Sequence, residues 1–183
     1  MFQKLSIAAA VAVTALASPA IAQDKEAPAP IAIPAPPAGK GQIVFYRPGG
    51  MGFAVGCSVN EKGQKVSSLG AGKYFIMVTE PGRHEFSVKS EAKDTLALEV
   101  EADETQYASC KIKMGFMVGR PDIRPATEAE FRKSKLKMVD ADDMGPGEGA
   151  LRPEQVAAAL SGAPAAATPA AAPAPVAPAS PQQ

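Results

Sequence analysis

The stretch 73–89 reads Lys73-Tyr74-Phe75-Ile76-Met77-Val78-Thr79-Glu80-Pro81-Gly82-Arg83-His84-Glu85-Phe86-Ser87-Val88-Lys89 and holds two strands with the turn between them. From Tyr74 to Val78 every residue is apolar, so an extended chain presents apolar side chains to both faces. Residues 73–79 are therefore expected to form a central strand covered on both sides. Glu80-Pro81-Gly82 reverses the chain, because Pro presets φ and Gly accepts positive φ. Beyond the turn the pattern changes. Phe86 and Val88 face inward while Arg83, Glu85 and Lys89 face out, the period-two signature of a half-buried strand.

The same alternation extends in both directions. Upstream, Ile43 and Phe45 mark one face of 42–47, and Phe53, Val55, Cys57 and Val59 mark one face of the next strand. A four-residue turn, Asn60-Glu61-Lys62-Gly63, leads into 64–69, and Gly70-Ala71-Gly72 breaks the chain before Lys73. Downstream, Leu96, Leu98 and Val100 alternate with Thr95, Ala97, Glu99 and Glu101. Ala102-Asp103-Glu104 turns the chain into 105–114, whose inward set is Ala108, Cys110, Ile112 and Met114. About seven short strands at roughly ten-residue spacing predict an all-β fold, an antiparallel sandwich of immunoglobulin-like or transthyretin-like type. One short C-terminal helix is expected at the capping box Thr127-Glu128-Ala129-Glu130, with Phe131 as its packing residue. Lys133, Lys135 and Lys137 suit the negative end of that helix and read as a solvated helix face rather than an anion site.

Composition sets the limits of this block. Of the 18 prolines in 183 residues, Pro48, Pro81, Pro121 and Pro125 are the ones between Gly41 and Asp143, while 15 basic and 15 acidic residues lie there. A packed core needs apolar side chains and solubility needs charge, so 41–143 is the expected folded domain. Residues 1–22 read as a signal peptide: Lys4, an apolar run from Leu5 to Ala17, and a small-residue cleavage site ending at Ala22. That run is too short to span a bilayer and no Cys follows it for a lipid anchor, so a product with no stable membrane anchor is expected in the periplasm or outside the cell. Residues 23–40 form a Pro/Ala-rich linker, and 144–183 an Ala/Pro-rich low-complexity tail with the makings of a short helix over 152–161. Both tails are expected to be disordered. A formal net charge of zero excludes non-specific nucleic-acid binding, which needs excess cations against phosphate.

The chemistry-bearing residues are few. Cys57 and Cys110 both fall on inward faces, so a disulfide across the core is expected in an oxidising compartment. Two separate buried thiols and a redox pair are the competing readings, the last without a CxxC. His84, the one histidine, lies in phase with Phe86 and Val88 and reads as a strand-end residue satisfied by the backbone, with no nucleophile evident beside it. Gly49-Gly50-Met51-Gly52 lacks the Lys-Ser/Thr and helix of a phosphate loop. Asp140, Asp142 and Asp143 lack the glycine and distal Glu of a calcium loop. No metal or other cofactor is expected. The least ordinary stretch is 115–124, where Phe116 and Met117 precede Arg120, Asp122 and Arg124. Apolar side chains with flanking arginines have the make-up of an interface; the alternative is a bent strand whose turn an Arg–Asp pair fixes.

Residues 41–139 resemble the bacterial family called domain of unknown function 2846. The resemblance is carried by Ile43-Val44-Phe45-Tyr46-Arg47-Pro48, by 66–75, by Pro81-Gly82-Arg83-His84, by Tyr107-Ala108-Ser109-Cys110 and by Met114–Arg124. It implies a small envelope β-domain with no assigned activity. Residues 60–82 are also similar to the PEGA-type β-sandwich repeat, with a longer turn in place of the usual Asn-Gly. The combined expectation is an exported, non-catalytic envelope module that binds a periplasmic protein or glycan through Phe116, Met117, Arg120, Asp122 and Arg124. The alternative is a small periplasmic hydrolase or thiol-redox protein using His84 or Cys57 and Cys110.

Overall fold

The computed structural model describes residues 30–50, 55–89, 93–113 and 119–162. Among the described residues, nine strands form two sheets. They are β1 (Gly41–Arg47), β2 (Cys57–Glu61), β3 (Gln64–Leu69), β4 (Lys73–Thr79), β5 (Gly82–Lys89), β6 (Lys93–Val100), β7 (Thr105–Lys113), β8 (Arg120–Ala126) and β9 (Lys137–Met138). Helix α1 (Glu128–Arg132) lies between β8 and β9, and α2 (Pro153–Leu160) closes the described chain. The first sheet has the order β8-β7-β1-β4-β9 and the second β3-β2-β5-β6. The molecule is the expected all-β sandwich, and its main core lies between the sheets, built on Ile43, Phe45, Phe75, Phe86, Val88 and Leu98.

Pairing departs from the antiparallel expectation in one sheet. β1 pairs antiparallel with β4 but parallel with β7, and β9 runs parallel to β4. Period-two alternation is the same for both pairings, so sequence pattern carries no signal for this. The strand count exceeds seven because β8 and β9 add to the predicted set. β8 holds Pro121 and Pro125 within seven residues and still pairs along its length with β7. Both prolines are in phase with Ile123, whose N–H turns away from β7 and donates to Asp94 Oδ2 at 2.9 Å. On this edge strand the prolines therefore sit where no ladder donor is needed.

The turn at 60–63 is shorter than expected. Asn60 and Glu61 belong to β2, with a bulge between Val59 and Asn60, and Glu61 pairs with Gln64. The reversal is a two-residue turn at Lys62 (φ 49°) and Gly63 (φ 81°). Positive φ at both positions matches the right-handed twist of a hairpin.

A second apolar cluster covers the outer face of the first sheet. Val44, Tyr46, Tyr74 and Ile76 point outward and are buried by Phe131 of α1, Val156 of α2, Ile31 and Ile33. β1 is thus buried along its whole length, as is most of β4. The capping box forms as read: Thr127 Oγ1 accepts from the Glu130 N–H at 3.3 Å, and Glu130 Oε2 accepts from the Thr127 N–H at 2.9 Å. Helix α1 ends at Arg132, so Lys135 and Lys137 lie beyond it rather than on a helix face.

The fold also extends past both ends of the predicted domain. Pro34 is buried, and its carbonyl accepts from Gln42 Nε2 at 2.7 Å. The segment Met144 to Leu151 runs along two sheet edges at once. Gly145 and Gly147 donate to the Val66 and Lys65 carbonyls of β3 at 2.9 and 3.0 Å. Val78 N–H of β4 donates to the Gly149 carbonyl at 2.8 Å, and Leu151 donates back to the Ile76 carbonyl at 2.8 Å. Glycines carry no hydrophobic pattern, so composition places this stretch with the tail; its backbone hydrogen bonds place it in the fold.

Candidate functional site

Cys57 starts β2 in one sheet and Cys110 lies in β7 of the other, and the two form a disulfide across the core with Cα atoms 6.6 Å apart. Both side chains are fully buried. The bond closes a sequence separation of 53 residues. In the chain-entropy model this stabilises by about 4 kcal/mol. Neither cysteine is free for the redox-pair or separate-thiol readings in this structure.

His84 is held at the start of β5 by groups from three directions. Its Nδ1 lies 2.6 Å from Glu61 Oε1, and its Nε2 lies 2.9 Å from the Glu80 carbonyl and 3.0 Å from Thr79 Oγ1. The spacing has the outline of a hydroxyl, imidazole and carboxylate set. A nitrogen facing a carbonyl oxygen must donate to it, however, so Nε2 carries a proton and cannot also take one from Thr79. The cluster ties the β2–β3 hairpin to the β4–β5 turn. Cys57 and Glu61 stand at opposite ends of β2, about 13 Å apart along the strand at ~3.3 Å per residue. The disulfide and His84 therefore do not converge. Among the described residues, no three Cys, His, Asp or Glu side chains gather as a metal site.

Of the predicted interaction residues, Arg120, Asp122 and Arg124 come together on the outward side of β8. Phe116 and Met117 lie outside the described residues. Asp122 is the centre: Lys113 Nζ lies 2.7 Å from its Oδ1, and Arg124 pairs with its Oδ2. The Asp122 side chain is 19% exposed, against 60% for Lys113 and 45% for Arg124. The carboxylate is thus half-buried beneath cations that face solvent. Register brings in two residues the sequence reading did not single out. Lys111 stands opposite Asp122, and Lys113 opposite Arg120. Both are outward in the period-two pattern of β7, so the signal was present once β8 is recognised as its partner. The face carries Lys111, Lys113, Arg120 and Arg124 around Asp122, all four cations exposed, and Lys111 also helps lower the pKa of Glu130 in α1. Two like charges directly across a ladder cost stability. Here Asp122 offsets that cost, since it pairs with Lys113 and Arg124.

Toward α1 the same sheet face becomes apolar. Tyr107 packs against Phe131 with ring centroids 5.4 Å apart, and Tyr46 and Tyr74 meet that ring edge-on at 5.4 and 5.6 Å. Burial raises the pKa of all three tyrosine hydroxyls above the ordinary value. These rings are structural. Among the described residues no aromatic side chain is exposed.

No curated protein and no solved structure matches the chain. One family profile, described as a protein of unknown function (DUF2846), matches residues 37–121. That stretch runs from the turn before β1 to the second residue of β8 and contains most of the main core, the disulfide and His84. Residues 37–121 thus carry the likeness to the DUF2846 family.

Proposed function

We propose that this protein is an exported, non-catalytic module of the bacterial envelope, which binds a periplasmic partner through the outward face of β7 and β8. The partner is a protein with an acidic surface rather than a glycan. The observation that carries the reading is the charged ladder of Lys111, Lys113, Arg120 and Arg124 around half-buried Asp122. It is held on the paired strands β7 and β8 beside the inter-sheet disulfide, where Cys110 stands opposite Ile123. Such a surface steers an oppositely charged partner and fixes its register. Sugar rings pack on exposed aromatic faces, and the absence of these among the described residues weighs against a glycan. Export is supported by the leader-like residues 1–22 and by the disulfide, which persists in oxidising compartments.

The test is photo-crosslinking in cells from a reactive side chain placed at Arg120. A discrete crosslinked protein is expected, and it should be lost when Lys111→Glu and Arg124→Glu are combined in the same chain. Recovery of no specific partner, or capture that survives the double reversal, contradicts the proposal.

A further inference from the structure

A groove of about 480 Å³ opens beside α1 on the outer face of the first sheet. This volume lies within the ~300–1,000 Å³ range of small-molecule sites. Its lining includes half-buried Ile31 and Leu136 above the buried Phe131, together with Lys133, Lys135 and Lys137. Among the described residues no carboxylate lines it. Arg132 also lines it but is committed, donating to Glu128 at 2.7 Å and to the Ile31 carbonyl at 3.2 Å. The three lysines are exposed.

Lysines on β9, the edge of its sheet, protect against edge-to-edge pairing. That accounts for Lys137, and the C-terminal end of α1 and Glu130 account for Lys133; Lys135, which lies outside any strand, is left. So are the apolar side chains of Ile31 and Leu136. α1, the loop after it and β9 follow residue 121, and Pro30 and Ile31 precede residue 37, so the groove is lined from outside the family-matched stretch on both sides.

We propose that this groove binds a free single-chain anionic amphiphile, an alkyl carboxylate. Its chain lies over Ile31 and Leu136, and its head group sits among Lys133, Lys135 and Lys137. Charge complementarity selects the head, the apolar side chains select the chain, and the volume admits one molecule rather than a bilayer surface.

The probe is decanoate, titrated into the full mature chain and followed by NMR shifts of Ile31 and Leu136, with octanoate and 1-decanol as comparisons. Decanoate should bind saturably, and octanoate about tenfold more weakly for two fewer buried methylenes. Decanol should bind at least tenfold more weakly than decanoate, and added salt should weaken only the carboxylates. Replacing Lys133, Lys135 and Lys137 together by Gln should remove the preference for decanoate over decanol. Leu136→Asp should abolish binding of both. The lysine variant changes exposed side chains only, so it reads the site even if the Leu136 variant misfolds. Equal affinity for decanoate and decanol, or shifts that avoid Ile31 and Leu136, would overturn the proposal. So would binding to phosphatidylglycerol vesicles with none to decanoate, or a groove already filled by residues 23–29 that decanoate does not displace.

Discussion

His84 is where a catalytic reading would have to begin, since it is the one histidine and has a carboxylate and a hydroxyl beside it. Its hydrogen bonds account for it as a clasp between two turns. His84→Gln should then cost about 1–2 kcal/mol in chemical denaturation, the scale of losing charge-assisted hydrogen bonds, and leave the Arg120 crosslink intact. Phe131 makes the opposite kind of contribution. It is fully buried and touches three tyrosine rings, so Phe131→Ala should destabilise by about 3–5 kcal/mol. Glu130 gives a pH signature. Hydrogen bonds from the Thr127 N–H and hydroxyl hold its pKa below the ordinary glutamate value. A depressed carboxylate stabilises the fold above its unfolded pKa and ceases to do so as pH falls through the folded value. The Thr127 amide signal should therefore titrate below the usual glutamate range, with the first turn of α1 loosening in acid.

At the scale of elements, the strands within residues 41–113 were legible from alternation or from an unbroken apolar run, although β2 begins only at Cys57, leaving Val55 before it and Phe53 outside the described residues. Three features escaped the sequence reading for physical reasons. β8 was obscured by Pro121 and Pro125, which are tolerated because their phase points away from β7. The doubly covered character of β1 was legible in Ile43-Val44-Phe45-Tyr46, the same unbroken run that identified β4, but it was read from Ile43 and Phe45 alone. The Gly145-Pro146-Gly147-Glu148-Gly149 strap had no side-chain signal at all. Its glycines are required by contact. A Cβ on Gly145 would lie 2.1 Å from the Lys65 carbonyl oxygen, and one on Gly149 would lie 2.2 Å from that of Val78. Gly63 and Gly149 share positive φ, but Gly63 faces open space. Gly63→Ala should thus cost only about 1 kcal/mol for its backbone conformation. Gly149→Ala adds the clash and should cost clearly more, with faster amide exchange at Val78 and Leu151. Equal losses at the two sites would mean that the strap does not press on β4.

For the whole molecule, the disulfide and the outer layer address the same problem. A sandwich of this size leaves both sheets with an outer face and open edges. Helices α1 and α2 with residues 31–34 bury one face, the strap pairs with the edges of β3 and β4, and Cys57–Cys110 fastens the sheets together. The candidate site was legible in part. Arg120, Asp122 and Arg124 were identified from their unusual neighbourhood, whereas Lys111 and Lys113 join them only through the register of β7 with β8. The groove at Lys133–Lys137 was invisible because the sequence continued α1 through residues that in fact leave the helix. A β-fold stapled through its core suits the proposed export to an oxidising compartment, and that export is the central claim. The most direct test is mass spectrometry of the protein recovered from cells, alkylated under denaturing conditions without reductant. The account predicts a chain beginning at Gln23 with neither Cys57 nor Cys110 alkylated. A chain retaining residues 1–22 with both cysteines alkylated would contradict it.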